Sequence, residues 1–395
     1  MSRLDELIQK LCPNGVEYKK IGEICNISVG GDVPKNSMSK QKTEKYSVPI
    51  ISNGIGENAL YGYTDVPKVK EPGVTVAARG TIGYAEYRDY PFYPIIRLLT
   101  AIPKDATAVN TKYLYCCLQG KQYSIPMSGI PQLTSPELEK VSIPVPPLEA
   151  QREIVRILDN FTELTAELTA ELTARKKQYE YYRDTLLTFD DNNPLHSLIS
   201  RYCLNGVEYK KIGDIGKVSM CKRILKNQTN PVGDIPFYKI GTFGKKADSF
   251  ISNKLFQEYK QKYSFPNKGD ILISAAGTIG REVVYDGEPA YFQDSNIVWV
   301  ANDEKKILNS FLYYIYQLEP WKVSSGGTIS RLYNENITGA KIPIPPLEVQ
   351  HQIVQILDRF DALCNDLTQG LPAEIEARRK QYEYYRDQLL TFKRA

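Results

Sequence analysis

The sequence has no run of about 18 consecutive apolar residues, so no membrane-spanning helix is expected. Its opening stretch, MSRLDELIQKLC, mixes charges with apolar residues at helical spacing and lacks the apolar centre of a secretory signal, which points to a cytoplasmic protein. Histidine is nearly absent. Only His196 and His351 occur, which leaves little room for a His-rich metal site or a catalytic triad. The 7 cysteines include no Cys-x-x-Cys pair, and the adjacent Cys116 and Cys117 lie in an apolar run, so buried reduced thiols are expected rather than a zinc or redox site. There is no Gly-rich nucleotide fingerprint and no Walker A loop. Asn193-Pro194-Leu195 lacks the aromatic residue that an amino-methyltransferase motif requires, and no acidic-plus-lysine cluster reads as a nuclease site. An excess of one charge is also missing. With 50 basic and 46 acidic residues the net charge is +4, which does not by itself select a nucleic-acid partner.

What is present is a long internal repeat. NGVEYKKIG occurs at Asn14–Gly22 and, unchanged, at Asn205–Gly213. IPVPPLEAQREIVRILDNF begins at Ile143 and IPIPPLEVQHQIVQILDRF at Ile342; RKKQYEYYRDTLLTF begins at Arg175 and RRKQYEYYRDQLLTF at Arg378. A 395-residue chain, 42% hydrophobic, has room for two packed domains, and a period of roughly 190–200 residues is too long for a solenoid. The repeat is uneven. It is nearly perfect at the edges of each copy, whereas Ile24–Val141 and Ile215–Lys341 share little beyond Gly-Thr-Ile-Gly at Gly80–Gly83 and Gly277–Gly280. The edges therefore share one task and the middles differ in theirs.

The edges read as helices. Pro146 and Pro147 open one, since proline is tolerated in a first turn and Glu149 suits the positive end of the helix dipole. Ile154, Leu158, Phe161, Leu164, Leu168, Leu172, Tyr179, Tyr182 and Leu186 then recur at three- and four-residue steps. That is a stripe on a helix approaching 40 residues, roughly 60 Å long. Its natural partner is the twin stripe Ile353, Ile356, Leu357, Phe360, Leu363, Leu367 and Ile375, with Gly370 and Pro372 expected to break or kink the second helix. The TELTAELTAELT segment at 162–173 is a helical spacer in which each four-residue unit adds ~6 Å.

The middles read as mixed α/β. VPIIS (Val48–Ser52), VTVAA (Val74–Ala78), DILISAA (Asp270–Ala276) and NIVWV (Asn296–Val300) are expected strands, and Thr111–Gln119 and Asn309–Gln317 expected helices. The Gly-Thr-Ile-Gly pairs read as tight turns. Basic clusters recur at matching places: Lys35, Lys40, Lys42 and Lys45 in the first copy, and Lys217, Lys222, Arg223 and Lys226 in the second. With Arg79, Lys239 and Arg331 they are the candidate DNA contacts, arginine suited to guanine edges and lysine to phosphate.

Two divergent middles, each followed by an Ile-Pro-x-Pro-Pro-Leu-Glu-x-Gln helix and a Gln-Tyr-Glu-Tyr-Tyr-Arg-Asp segment, resemble the specificity subunits of Type I restriction-modification systems over essentially the whole chain. The resemblance implies an α+β fold with two homologous target-recognition domains separated by long antiparallel paired helices in pseudo-two-fold arrangement. The domains would be 1–145 and 191–344, with helical regions at 146–190 and 345–395. It implies a non-catalytic DNA-binding chain that reads a bipartite asymmetric site on double-stranded DNA. Two methyltransferase (modification) subunits, and restriction subunits through them, would be its partners. S-adenosylmethionine, ATP and Mg would reside on those partners and no cofactor on this chain. Gln151, Tyr181, Arg183, Gln350, Tyr384 and Arg386, from the repeated helical segments, are the candidate subunit contacts. Two other readings are weighed: the specificity half of a fused restriction-methyltransferase, against which no methylation or nuclease motif precedes residue 14, and a protein-binding scaffold, supported by the modest charge and the tyrosine-rich helices.

Overall fold

The computed structural model describes residues 3–123, 131–323 and 331–395, with side chains from residue 6 onward. The chain forms two compact units, residues 1–169 with 374–395 and residues 170–373. The SGGTIS stretch that precedes Arg331 lies outside the described residues.

The first unit is built on an antiparallel sheet in the order Cys25–Val29, Leu98–Pro103, Gly73–Ala77, Ala85–Arg88. The strand Gly73–Ala77 is buried along its whole length, its one polar side chain, Thr75, donating its hydroxyl to the Glu86 carbonyl at 3.3 Å. Helix Thr111–Leu118 covers this sheet and buries Tyr113, Leu114, Cys116, Cys117 and Leu118. A second sheet runs Met38–Ser39, Leu60–Thr64, Val48–Ile51, Tyr93–Pro94, its last pair parallel. The repeated edge motif makes a small ribbon, Tyr18–Lys20 against Ser142–Pro144. The last residues of the chain complete the unit: Val16 N–H donates to the Lys393 carbonyl at 2.8 Å, and Ala395 N–H to that of Val16 at 3.1 Å.

The second unit repeats this plan. Its main sheet is Lys217–Ser219, Ile297–Ala301, Ile271–Ser274, Glu282–Val284, and its smaller one Phe250–Ile251, Ile235–Tyr238, Tyr291–Phe292, again with a parallel last pair. Glu208–Lys211 pairs with Lys341–Ile344, and helix Asn309–Tyr316 covers the sheet. Helix Asn253–Lys262, capped by the Ser252 hydroxyl, has no counterpart among the described residues of the first copy, and its Phe256 enters the smaller, aromatic core. The glycines of the two Gly-Thr-Ile-Gly turns adopt φ between +67° and +83°, a conformation that tight turns assign to glycine.

The predicted long helix runs from Leu148 to Leu186, 39 residues. Its stripe finds helical partners inside each unit. Phe161 stacks on Tyr385 at 5.2 Å in the first, and Tyr182 on Phe360 at 5.4 Å in the second. In the Glu-Leu-Thr-Ala segment Leu164 is 47% exposed, and Thr165 and Thr169 donate to carbonyls four residues back at 2.8 and 2.7 Å. Leu164 thus faces solvent, whereas Leu172 near the end of the segment packs against the core of the second unit. The second stripe is interrupted: Leu347–Asn365 ends, and a new helix begins at Leu371. The Asp366 carboxylate caps Thr368, and Gly370 fits so closely that a Cβ there would lie 2.6 Å from the Ala362 oxygen. Among the described residues no helix is long and apolar enough to cross a membrane. Six of the seven cysteines are buried, and all are free thiols.

Candidate nucleic-acid interface

In the second unit a groove of about 570 Å³ is lined by Arg223, Lys226, Lys239, Gln293, Asp294, Asn296 and Arg331, among others. Four of the basic residues singled out in the sequence thus meet in one place, although they come from separate stretches of chain. Three of them are positioned by their neighbours. Arg223 Nε donates to Asp294 Oδ2 at 2.8 Å, Lys239 Nζ pairs with Asp248 Oδ1 at 2.8 Å, and Arg331 donates to the Ser295 carbonyl at 2.8 Å. Arg331 and Ser295 also line an adjoining hollow of about 620 Å³ with Met220, Tyr333 and Asn334. Lys222 lies outside this groove, 5.2 Å from the Tyr263 ring. Lys217 opens the edge strand of the main sheet and does not line the groove.

The first unit is arranged differently. Arg79 stands before its turn with Nε donating to Gln132 Oε1 at 2.7 Å, while Asn53 Nδ2 donates to the Arg79 carbonyl at 2.6 Å. Lys35, Lys40, Lys42 and Lys45 are all exposed and lie on the segment around Met38–Ser39. Lys40 donates to the Tyr61 carbonyl at 2.9 Å and caps its ring at 3.7 Å; Lys45 stands 5.1 Å over Tyr46. Lys42 lines a hollow of about 630 Å³ with Tyr63, Arg88 and Tyr90. Arg79 does not line that hollow, so the structure leaves the first-copy basic residues in two places.

Gln132 was missed in the sequence, yet a signal existed. It lies as far before Pro146 as Arg331 lies before Pro345. The residue before the Gly-Thr-Ile-Gly turn is Arg79 in the first unit and Ala276 in the second. The two units thus place one guanidinium near the same corner of the frame from opposite partners: from the turn in one, from the 331 position in the other. A guanidinium with planar N–H groups left over suits the paired acceptors of a base edge or a phosphate. Among the described residues no three His, Cys, Asp or Glu side chains come close enough to share a metal ion.

The expected subunit contacts divide into two groups. Gln151 and Gln350 are fully buried. Gln151 accepts from Asn110 N–H at 2.8 Å and donates to the Ala108 and Pro146 carbonyls at 2.8 and 2.7 Å. Gln350 repeats this with Leu308 N–H and the Lys306 and Pro345 carbonyls. Their assignment as partner contacts is therefore corrected: these amides are fully buried and pin each helix start to its own domain. The three tyrosines of the repeated segment have three different roles. Tyr179 and Tyr382 donate to Gln317 and Gln119 at 3.0 and 2.5 Å. Tyr182 and Tyr385 make the interhelical stacks described above, and Tyr181 and Tyr384 are 65% and 61% exposed. Arg183 and Arg386 are mostly covered, and each is chelated by the following aspartate at 2.7–2.9 Å.

Comparison with known proteins accords with this geometry. The sequence profile described as the Type I restriction modification DNA specificity domain matches twice, at residues 13–175 and 205–377. The chain is 54% identical over 392 residues to S.HindORF215P of Haemophilus influenzae, described as a putative type I restriction enzyme specificity subunit, covering 95% of this chain and 96% of that one. It is 28% identical over 426 residues to the EcoR124I/EcoR124II specificity subunit of Escherichia coli, covering 99% and 97%. Among solved structures it superposes with TM-score 0.55 and 16% identity on the S subunit from M. genitalium, over 96% and 97% of the two chains. A chain solved in work on assembly of the type I restriction-modification system gives TM-score 0.61 at 17% identity, over 96% and 98%. With two copies of the specificity domain on one chain and a fold shared with known S subunits, the protein belongs to the specificity subunits of Type I restriction-modification systems.

Proposed function

We propose that each unit reads one half of a bipartite, asymmetric sequence on double-stranded DNA, and that this chain contributes recognition while other chains contribute chemistry. One observation carries the reading: two frames whose main sheets share one strand order present unlike basic surfaces. Like frames approach like features of a duplex, and unlike side chains then select unlike bases. The groove of the second unit, with Arg223, Lys226, Lys239 and Arg331 on its walls, serves one half-site. Arg79 with the Lys35, Lys40, Lys42 and Lys45 segment serves the other.

The exposed Tyr181 and Tyr384, at equivalent places on the repeated helices, are the contacts we assign to two modification subunits, with restriction subunits joining through those. Adenine methylation with S-adenosylmethionine and cleavage coupled to ATP and Mg belong to those partners. The test is methylome sequencing of cells expressing this chain with its modification subunit. Two short fixed motifs separated by a fixed spacer are expected. Deleting one unit of the helical spacer, residues 167–170, shortens the long helix by ~6 Å and is expected to change the spacer while leaving both motifs intact. A deletion that altered the bases read would refute this division of labour.

A further inference from the structure

We infer that one backbone position, occupied by Arg97 in the first unit and Asn296 in the second, is a specificity-determining position in each reader, Arg97 taking a guanine and Asn296 an adenine. This rests on the reading of each unit as a DNA half-site reader.

The two residues are equivalent by hydrogen-bond register, although the surrounding sequences do not align by eye. Leu98 pairs with Ala77, and Ile297 with Ser274. Ala77 and Ser274 stand at the same distance before Gly80 and Gly277 of the two turns. The preceding residues therefore coincide, and their carbonyls accept the same bond: Ala78 N–H donates to Arg97 at 2.9 Å and Ala275 N–H to Asn296 at 2.7 Å. The residue at this place pairs, through its carbonyl, with the chain that leads into the Gly-Thr-Ile-Gly turn, two residues before Gly80 in one unit and two before Gly277 in the other.

Both side chains are unspent. Arg97 is exposed, and neither its guanidinium nor the Asn296 amide has a hydrogen-bond or ionic partner among the described residues. The nearby arginines are each anchored by one bond, Arg79 to Gln132, Arg331 to Ser295 and Arg223 to Asp294, whereas these two side chains are anchored by none among the described residues. Asn296 lies half-buried in the wall of the basic groove, where its planar amide keeps one donor and one acceptor available to a ligand.

The backbone is unusual here too. Arg97 has φ +74°, and in the second unit Ser295, one residue earlier, has φ +59°. Non-glycine residues seldom adopt this region, and they persist there when surrounding bonds fix them. Ile95 and Ile96 N–H groups donate to Ile51 and Gly31 carbonyls at 2.9 and 2.8 Å, which pins this turn from both sides. A rigid turn presenting an uncommitted side chain is what precise readout needs. Arginine places two parallel N–H groups on guanine O6 and N7, whereas asparagine offers one donor and one acceptor to adenine N7 and N6.

The experiment uses the complete chain expressed with its modification subunit in cells without restriction activity, read by methylome sequencing. Arg97→Gly suits a positive φ and removes the side chain. It is expected to relax one guanine in one half-site, with discrimination there falling about tenfold to a hundredfold, and to leave the other half-site intact. Arg97→Asn, also tolerated at positive φ, is expected to move the preference at that base pair from guanine to adenine. Asn296→Ala is expected to relax one adenine in the opposite half-site only. Unchanged motifs in all three variants overturn the inference. So does a uniform drop in methylation without loss of any base, which is the mark of a phosphate contact. A wild type that methylates no two-part site overturns the functional reading as well, whereas a two-part wild-type site with unmoved variants overturns this inference alone.

Discussion

The buried glutamines give the sharpest test of what the repeated helical motif is for. Replacing Gln151 by Leu keeps the volume and removes three hydrogen bonds, to Asn110 N–H and the Ala108 and Pro146 carbonyls. The bond to Pro146 is buried, so that carbonyl loses its partner with no water to replace it. The other two are partly buried and recover some solvation. At about 1–3 kcal/mol for each buried group left unpaired, discounted for the two half-solvated ones, the loss is roughly 2–4 kcal/mol. Asn110 is also the N-cap of helix Thr111–Leu118, so the damage spreads to the helix that covers the main sheet. For a unit of this size the melting temperature should fall by roughly 4–16 °C. Because two units need not melt together, the informative assay is amide exchange read by mass spectrometry. Gln151→Leu should speed exchange around residues 108–118, and Gln350→Leu around 306–316 in the other unit. If Gln151→Leu melted like the parent and instead weakened assembly with the modification subunit, the glutamine would be a partner contact after all and the structural argument would fail.

Three further outcomes follow from the same structure. Gly370→Val should destabilise the helical break by about 1–3 kcal/mol, since the new side chain meets the carbonyls of Ala362, Asp366 and Leu363; thermal melting checks this, and an unchanged melt would show that the break is loose. Burial pushes the Cys25, Cys116, Cys117 and Cys221 thiols up to about 12. Folding holds these groups protonated while the unfolded chain ionises near pH 9, so stability is intact below pH 9 and is lost between about pH 9 and 12. Each thiol contributes a slope of about 1.4 kcal/mol per pH unit, and chemical unfolding of a Cys→Ala variant at about pH 8 and pH 10 measures it. Finally, Arg331→Ala should lower DNA affinity of the assembled complex and change the motif of one half-site; a loss of affinity with a shallower salt dependence and an unchanged motif would make Arg331 a phosphate contact instead.

Much of this protein is determined by its sequence alone. Periodicity located the long helix to within a few residues, because an apolar stripe sustained at three- and four-residue steps from Ile154 to Leu186 fits a helix and neither a strand nor a loop. Continuous apolar runs located the central strands, and paired repeats located the two-unit plan, since two near-identical edges demand the same local structure twice. Gly370 and Pro372 announced the break in the second helix. The tertiary structure alone decided which polar residues are spent and which are free. Gln151 and Gln350 look in sequence like exposed helix positions, yet loops some 40 residues away consume their amides. Arg223, Lys226, Lys239 and Arg331 meet only because strand order folds separate segments onto one wall. Arg97 and Asn296 share no motif, and only the hydrogen-bond register of the central strands makes them one position. Local patterning fixes where a backbone bends, because propensity and burial act between near neighbours. Which side chains remain for a ligand depends on long-range packing, which no short window of residues contains.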